Sequence, residues 1–379
     1  MLMLLSSSLA RTMSLHMTPH EQTVNMMRND PSYATQLQGC AKLTVDSSDK
    51  AAQDKAARAG AIDAIAGAMD LFPEDKTVVS VCTEVLQSMI LFNRANGLRA
   101  GQLGALNRTL HIYMQNMDDP SIMAMGGAIG AYFDFVDENR LIAGELGGIQ
   151  AIIQNIKNHF HGKYGAWSYI PVRESLFALS SGCWVNQDIC YKEGFPELAV
   201  KLMKEHGHEV KIAEETQQVT KALMFKSEVY RDRLADLGIT DSMVHVLQVR
   251  PQDRGAMDLT CENLAWLVGP QIMYAPTLVA GPPFATPPIV LRGFNRTIQS
   301  TALKSQALGA VVSVVKSGQK MRHFQHDGFN FDVDLAYNVN YDCFSALAHL
   351  SHGSPAAQET LRNAGMGGFV LADLAKRPK

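Results

Sequence analysis

Apolar residues along this chain return every three or four positions, in runs broken by short polar stretches. Residues 61–71 and 148–156 show the pattern most clearly. That spacing lays an apolar stripe along one side of a helix, whereas a strand would alternate every second residue. The runs also share an opening: an apolar or charged residue, a glycine, then Ile, Leu, Val and Ala. It reads Ala59-Gly60-Ala61-Ile62, Leu103-Gly104-Ala105-Leu106, Leu146-Gly147-Gly148-Ile149 and Glu193-Gly194-Phe195-Pro196. It returns as Leu237-Gly238-Ile239, Leu308-Gly309-Ala310-Val311 and Ala364-Gly365-Met366-Gly367. Successive glycines lie 44, 43, 47, 44, 71 and 56 residues apart. The first four intervals define one period, and the last two equal it plus insertions.

Each period parses into three helices. A short helix ends at the glycine, which can take left-handed backbone angles and so allows a sharp turn. A second helix follows, as over residues 62–69. A polar turn such as Phe72-Pro73-Glu74-Asp75 then opens a longer third helix, over residues 77–92. Pro171 and Pro196 fall near helix starts, where a missing N–H costs little. Tetratricopeptide and ankyrin repeats are shorter, and a β-propeller blade of this length would need four alternating strands.

Residues 33–379 resemble the armadillo family, in which three-helix units stack into a right-handed superhelix with third helices lining the concave face. Gln38-Gly39-Cys40-Ala41-Lys42-Leu43 resembles the end of a third helix, and Leu361-Arg362-Asn363-Ala364-Gly365 the end of a first. The glycine turn favours this family over the related HEAT repeats. The expected fold is therefore all-α: a right-handed α-solenoid of about six to seven armadillo-like repeats over residues 31–379. An N-terminal extension, residues 1–30, would precede it for targeting or partner binding.

Three insertions interrupt the array. Residues 159–170 are rich in aromatics, and residues 319–338 hold His323, His326, Asp327, Asp332 and Asp334. Residues 269–292 carry Pro270, Pro276, Pro282, Pro283, Pro287 and Pro288, so no helix can run through them. Their aromatics and prolines fit ordered elements docked on the array or on a partner. Decoration without a role is the alternative.

Composition narrows the function. Hydrophobic residues make up 46% and charged residues 19%, enough for a long core. The net charge of −3 is evenly spread, without the dense basic stripe that phosphate binding needs. Nucleic acid is excluded as a partner on that ground. The clusters Lys320-Met321-Arg322 and Lys376-Arg377-Pro378-Lys379 read as solvated ends. No segment has transmembrane length. Cys40, Cys82, Cys183, Cys190, Cys261 and Cys343 form no Cys-x-x-Cys pair and read as small apolar residues. Neither a disulfide framework nor a zinc site is expected, and an intracellular setting follows. Residues 1–20 lack acids and carry Arg11, so the cytoplasm is the first expectation and a mitochondrial presequence the second. The sequons at Asn107 and Asn295 read as chance.

No phosphate loop, dinucleotide fingerprint, nucleophile elbow or zincin motif occurs. His206 and His208 sit at a turn, and His159 and His161 lack a third ligand. No catalytic, cofactor or metal site is expected, and no small-molecule ligand. An enzyme using metal at the His/Asp-rich 319–338 insertion is the alternative. A third reading is membrane-surface binding through the N-terminal stretch.

The resemblance instead directs attention to the groove. Pairs four residues apart on the third helices would face it: Glu84 and Ser88, Phe177 and Ser181, Lys221 and Phe225, Glu262 and Trp266, Ser345 and His349. Importers of nuclear localisation peptides carry Trp and Asn there. That ladder is missing, which argues against such a receptor. The expected role is a non-catalytic protein-binding scaffold, either a structural subunit of a larger assembly or an adaptor, with other proteins as partners.

Overall fold

A computed structural model describes residues 17–119, 122, 125–133, 136–159, 183–224, 228–250, 253–269, 296–318, 343 and 345–364. Among them no strand occurs; the fold is an all-α solenoid. The insertions expected at 159–170, 269–292 and 319–338 lie almost wholly outside the described residues, as do Phe177, Ser181, Phe225 and Gly365. Chain packing defines two compact units, residues 1–189 and 190–379.

In the first unit, α1 (Pro19–Asn29) and α2 (Tyr33–Lys42) form a partial layer. The next layer is α3 (Lys50–Arg58), α4 (Ala61–Leu71) and α5 (Lys76–Ile90). Then come α6 (Arg94–Gln102), α7 (Ala105–Gln115) and α8 (Met125–Gly130), with a 3-10 turn at Ala131–Phe133. A further layer starts with α9 (Asp137–Glu145) and α10 (Gly148–His159).

Helix α11 (Trp184–Lys192) spans the boundary between the units. The second unit continues with α12 (Phe195–His206) and α13 (Val210–Met224), then α14 (Glu228–Asp236), α15 (Ile239–Val249) and α16 (Arg254–Val268). Its last elements are α17 (Arg296–Lys304), α18 (Ala307–Gly318), a helical stretch at 345–351, and α19 (Pro355–Asn363).

Like helices stack on like. Second helices pack in the pairs α1 with α4, α12 with α15 and α15 with α18, and third helices as α2 with α5, α5 with α8 and α13 with α16. Within each unit a layer thus covers the apolar stripe of the one before. In the second unit the resulting core joins Met203, Met243, Met257, Leu264, Val311 and Leu347. Caps close the helices as the sequence dictates: Asp75 accepts from the Thr77 and Val78 amides, and Asp253 from Ala256.

The turn from first to second helix is left-handed at Gly60, Gly104, Gly147, Gly194 and Gly238, with φ of 85°, 74°, 84°, 81° and 81°. Those five glycines occupy one repeating setting. The sixth hinge is not Gly309. It is Gln306, at φ 63°, and Gly309 lies inside α18 with open space around it. The buried run of this layer begins at Ala307 and Leu308, so the turn must fall before them.

Two further expectations need correcting. The array starts before residue 31: α1 buries Val24 and Met27 against α2 and α4, and Gly39 leaves the space that Met27 fills. The cysteines also do more than pack. Cys40 of α2 is bonded to Cys82 of α5, and Cys261 of α16 to Cys343. Third helices of neighbouring layers lie side by side, so cysteines one period apart meet. The 42-residue separation of Cys40 and Cys82 is such a period.

Candidate functional site

The third helices owe their exposed faces to their packing. Along α5 the buried positions are Val78, Val79, Cys82, Thr83, Val85, Leu86, Met89 and Ile90. What remains accessible is a stripe through Ser80, Val81, Glu84, Gln87 and Ser88. Along α13 the stripe narrows to Glu214, Gln218 and Lys221, and along α16 it runs through Asp258, Leu259, Glu262 and Trp266.

The candidate groove positions divide between these faces and the interior. Glu84 is exposed. Ser88 is half-buried and committed within the fold: its hydroxyl donates to the Val85 carbonyl and accepts from the Val45 amide at 3.2 Å. Lys221 and Glu262 form an ion pair between consecutive third helices. Trp266 is partly buried against the core of its unit.

Ser345 and His349 depart from expectation, since both are buried, at 8% and 5% exposure. His349 Nδ1 lies 3.1 Å from the Ala265 carbonyl of the preceding third helix. The backbone of the 345–351 stretch is also tied down from behind, where Gln299 Nε2 donates to the carbonyls of His349, Leu350 and His352. The registration that places Lys221 beside Glu262 therefore does not carry into the last layer.

A recurring polar set that the sequence reading missed fixes the layers beneath this face. Asn96, Asn139 and Asn186 each stand eight residues before a hinge glycine and are buried. Asn96 Nδ2 donates to the Met89 carbonyl at 2.9 Å, and Asn139 Nδ2 to the equivalent Tyr132 carbonyl at 2.8 Å. Across layers, Asn139 donates to the Gly97 carbonyl and Asn186 to that of Arg140, at 3.0 and 2.9 Å. Gln53 and Gln299, seven residues before their hinges, bind the carbonyls at third-helix ends. The signal in the sequence is an asparagine eight residues before Gly104, Gly147 and Gly194.

Among the described residues no group of three His, Cys, Asp or Glu is placed to hold a metal. His206 engages Glu209 at 2.9 Å, and its ring stacks with that of His208. Burial pushes the Cys183 thiol up, away from the reactive thiolate, and does the same to the Tyr113 and Tyr132 hydroxyls. No described helix is long and apolar enough to cross a membrane.

No protein-family model matches the chain, and no curated protein matches it in sequence. Solved structures do match in fold. One engineered protein superposes with a TM-score of 0.69 at 16% identity, covering 96% of this chain and 75% of its own. A structure of the interaction between cadherin and beta-catenin gives 0.60 at 12% identity, covering 95% and 71%. A designed armadillo repeat protein in complex with a (KR)4 peptide gives 0.54 at 11% identity, covering 73% and 94%. With its left-handed hinges and stacked third helices, the chain has an armadillo-type repeat fold.

Proposed function

We propose that this chain is a non-catalytic scaffold for protein–protein interaction, serving as a structural subunit or adaptor in a larger assembly. The observation that carries the reading is the pairing of consecutive third helices α13 and α16. Together they present Lys221, Glu262 and Trp266 on one surface held by the packing of the two helices. A preformed surface binds without the cost of ordering itself, and a half-buried tryptophan at its edge is the residue type that anchors interfaces. The likeness to structures of cadherin with beta-catenin and of a designed repeat protein with a peptide supports the same reading.

The test is affinity purification from the native cell, followed by mass spectrometry and native sizing. A partner recovered in fixed stoichiometry, and lost on Trp266→Ala, is the expected outcome. A chain that purifies alone and migrates as a free monomer contradicts it. A partner that survives high salt marks a permanent subunit, and one that washes off marks an adaptor.

A further inference from the structure

We infer that the Cys40–Cys82 and Cys261–Cys343 bonds are permanent features of the working protein, acquired as it folds in an oxidising compartment. The inference deepens the scaffold reading, because both bonds fix the spacing of the helices that carry the proposed binding face.

Four observations converge. All four sulfur-bearing residues are completely buried, at 0% exposure, so no reductase reaches them in the folded chain. Both bonds join neighbouring layers and not residues within one helix, closing loops of 42 and 82 residues. Each has a cysteine on a third helix that also carries a candidate residue: Cys82 shares α5 with Glu84, and Cys261 shares α16 with Glu262. The remaining cysteines, Cys183 and Cys190, are buried and belong to no disulfide. Cysteines acting only as small apolar filler would not pair at both sites.

Burial also dictates the timing. The bonds must form before the layers close over them, while the chain is still folding. The chemistry is thiol–disulfide exchange with a protein disulfide donor. One cysteine thiolate attacks the donor's disulfide, giving a mixed disulfide and releasing a donor thiolate. The second cysteine thiolate then attacks the mixed disulfide. The donor leaves as a dithiol carrying the two electrons and the two protons that the cysteine pair gives up. Such donors act in oxidising compartments, whereas cytosolic thiols are kept reduced. The spacing of these cysteines follows the repeat period, so no short motif announces them.

The experiment is thiol trapping on protein isolated from its native cell, quenched in acid, denatured and alkylated without reductant. Mass spectrometry should find label on Cys183 and Cys190 only, with linked peptides joining Cys40 to Cys82 and Cys261 to Cys343. Label on any of those four in the bulk of the protein overturns the inference. Chain denatured, reduced and refolded should melt about 5 °C or more below the native form. A Cys261→Ala/Cys343→Ala chain should show part of that loss, and no shift in either contradicts a stabilising role. Because trapping needs no partner, its failure is distinct from that of the scaffold reading. Two labelled cysteines with no partner recovered would sink only the latter.

Discussion

The side-chain oxygen of Asn186 occupies the space that a Cβ on Gly144 would fill, while its Nδ2 donates to the Arg140 carbonyl at 2.9 Å. One layer earlier Asn139 stands in the same relation to Gly101 and the Gly97 carbonyl. The glycine lets a buried amide approach the neighbouring first helix, and the amide satisfies a carbonyl there. Gly144→Ala should displace the amide and destabilise the chain by about 1–3 kcal/mol. Asn186→Ala should cost a similar amount, and the double variant less than the sum, because both remove one contact. Urea denaturation of the four chains reads the cycle; simple additivity would show the pair to be independent.

The hinges permit a test in both directions. Gly238 is left-handed at φ 81°, and Gly238→Ala should cost about 1–2 kcal/mol. Gln306 holds the same conformation with a side chain attached, so Gln306→Gly should leave stability unchanged or raise it by up to about 1 kcal/mol. Phe92 is also left-handed, at φ 55°, and is 67% exposed, so Phe92→Gly should behave alike. Thermal melts decide, and a destabilised Gln306→Gly chain would mean that the glutamine side chain contributes more than its strain costs.

Those positions also show what the sequence could reveal. Gly60, Gly104, Gly147, Gly194 and Gly238 were legible because a left-handed turn demands one residue type at a fixed period. Gln306 was not, since any residue can be forced left-handed where packing sets the turn. Cys40 and Cys82 were read as filler because their link is visible only once third helices are known to lie side by side. On the candidate face, Lys221 and Glu262 were read as equivalent positions on successive third helices, each paired within its own helix to Phe225 and Trp266. The structure joins the two in an ion pair that this reading did not contain. His349 was misplaced because local spacing cannot show that a neighbouring helix covers it.

The N-terminal cap should respond to acid. Thr18 Oγ1 accepts from the Glu21 amide, and the Glu21 carboxylate accepts from the Thr18 amide at 2.7 Å. The bond from the Thr18 backbone, then that from its hydroxyl, hold the Glu21 carboxyl below its ordinary value. Its ionised form is thus favoured by folding. The contribution is complete above the unfolded carboxylate range and is lost as pH falls through the depressed folded value. Amide exchange in Pro19–Asn29 should accelerate on acidification relative to Ala61–Leu71, after allowance for intrinsic rates, and Glu21→Gln should blunt the change. An unchanged ratio between the two helices would remove the cap from the explanation.

Charge on the exposed stripe should govern recognition more than folding. Glu262→Lys sets two ammonium groups side by side at Lys221, yet the pair is partly solvated, so its loss should cost no more than about 1 kcal/mol. Capture of the partner should fall at least about tenfold if the contact is central to the interface. Sizing and circular dichroism of the variant, set beside its binding, separate the effects. Full binding by a well-folded Glu262→Lys chain would place the interface elsewhere.

The most direct measurement is hydrogen exchange of the free chain against the chain bound to its purified partner. Binding through the third helices predicts slowed exchange in Lys76–Ile90, Val210–Met224 or Arg254–Val268, with Ala61–Leu71, Phe195–His206 and Ile239–Val249 unaffected. Protection confined to those second helices, with the third helices unchanged, would contradict it.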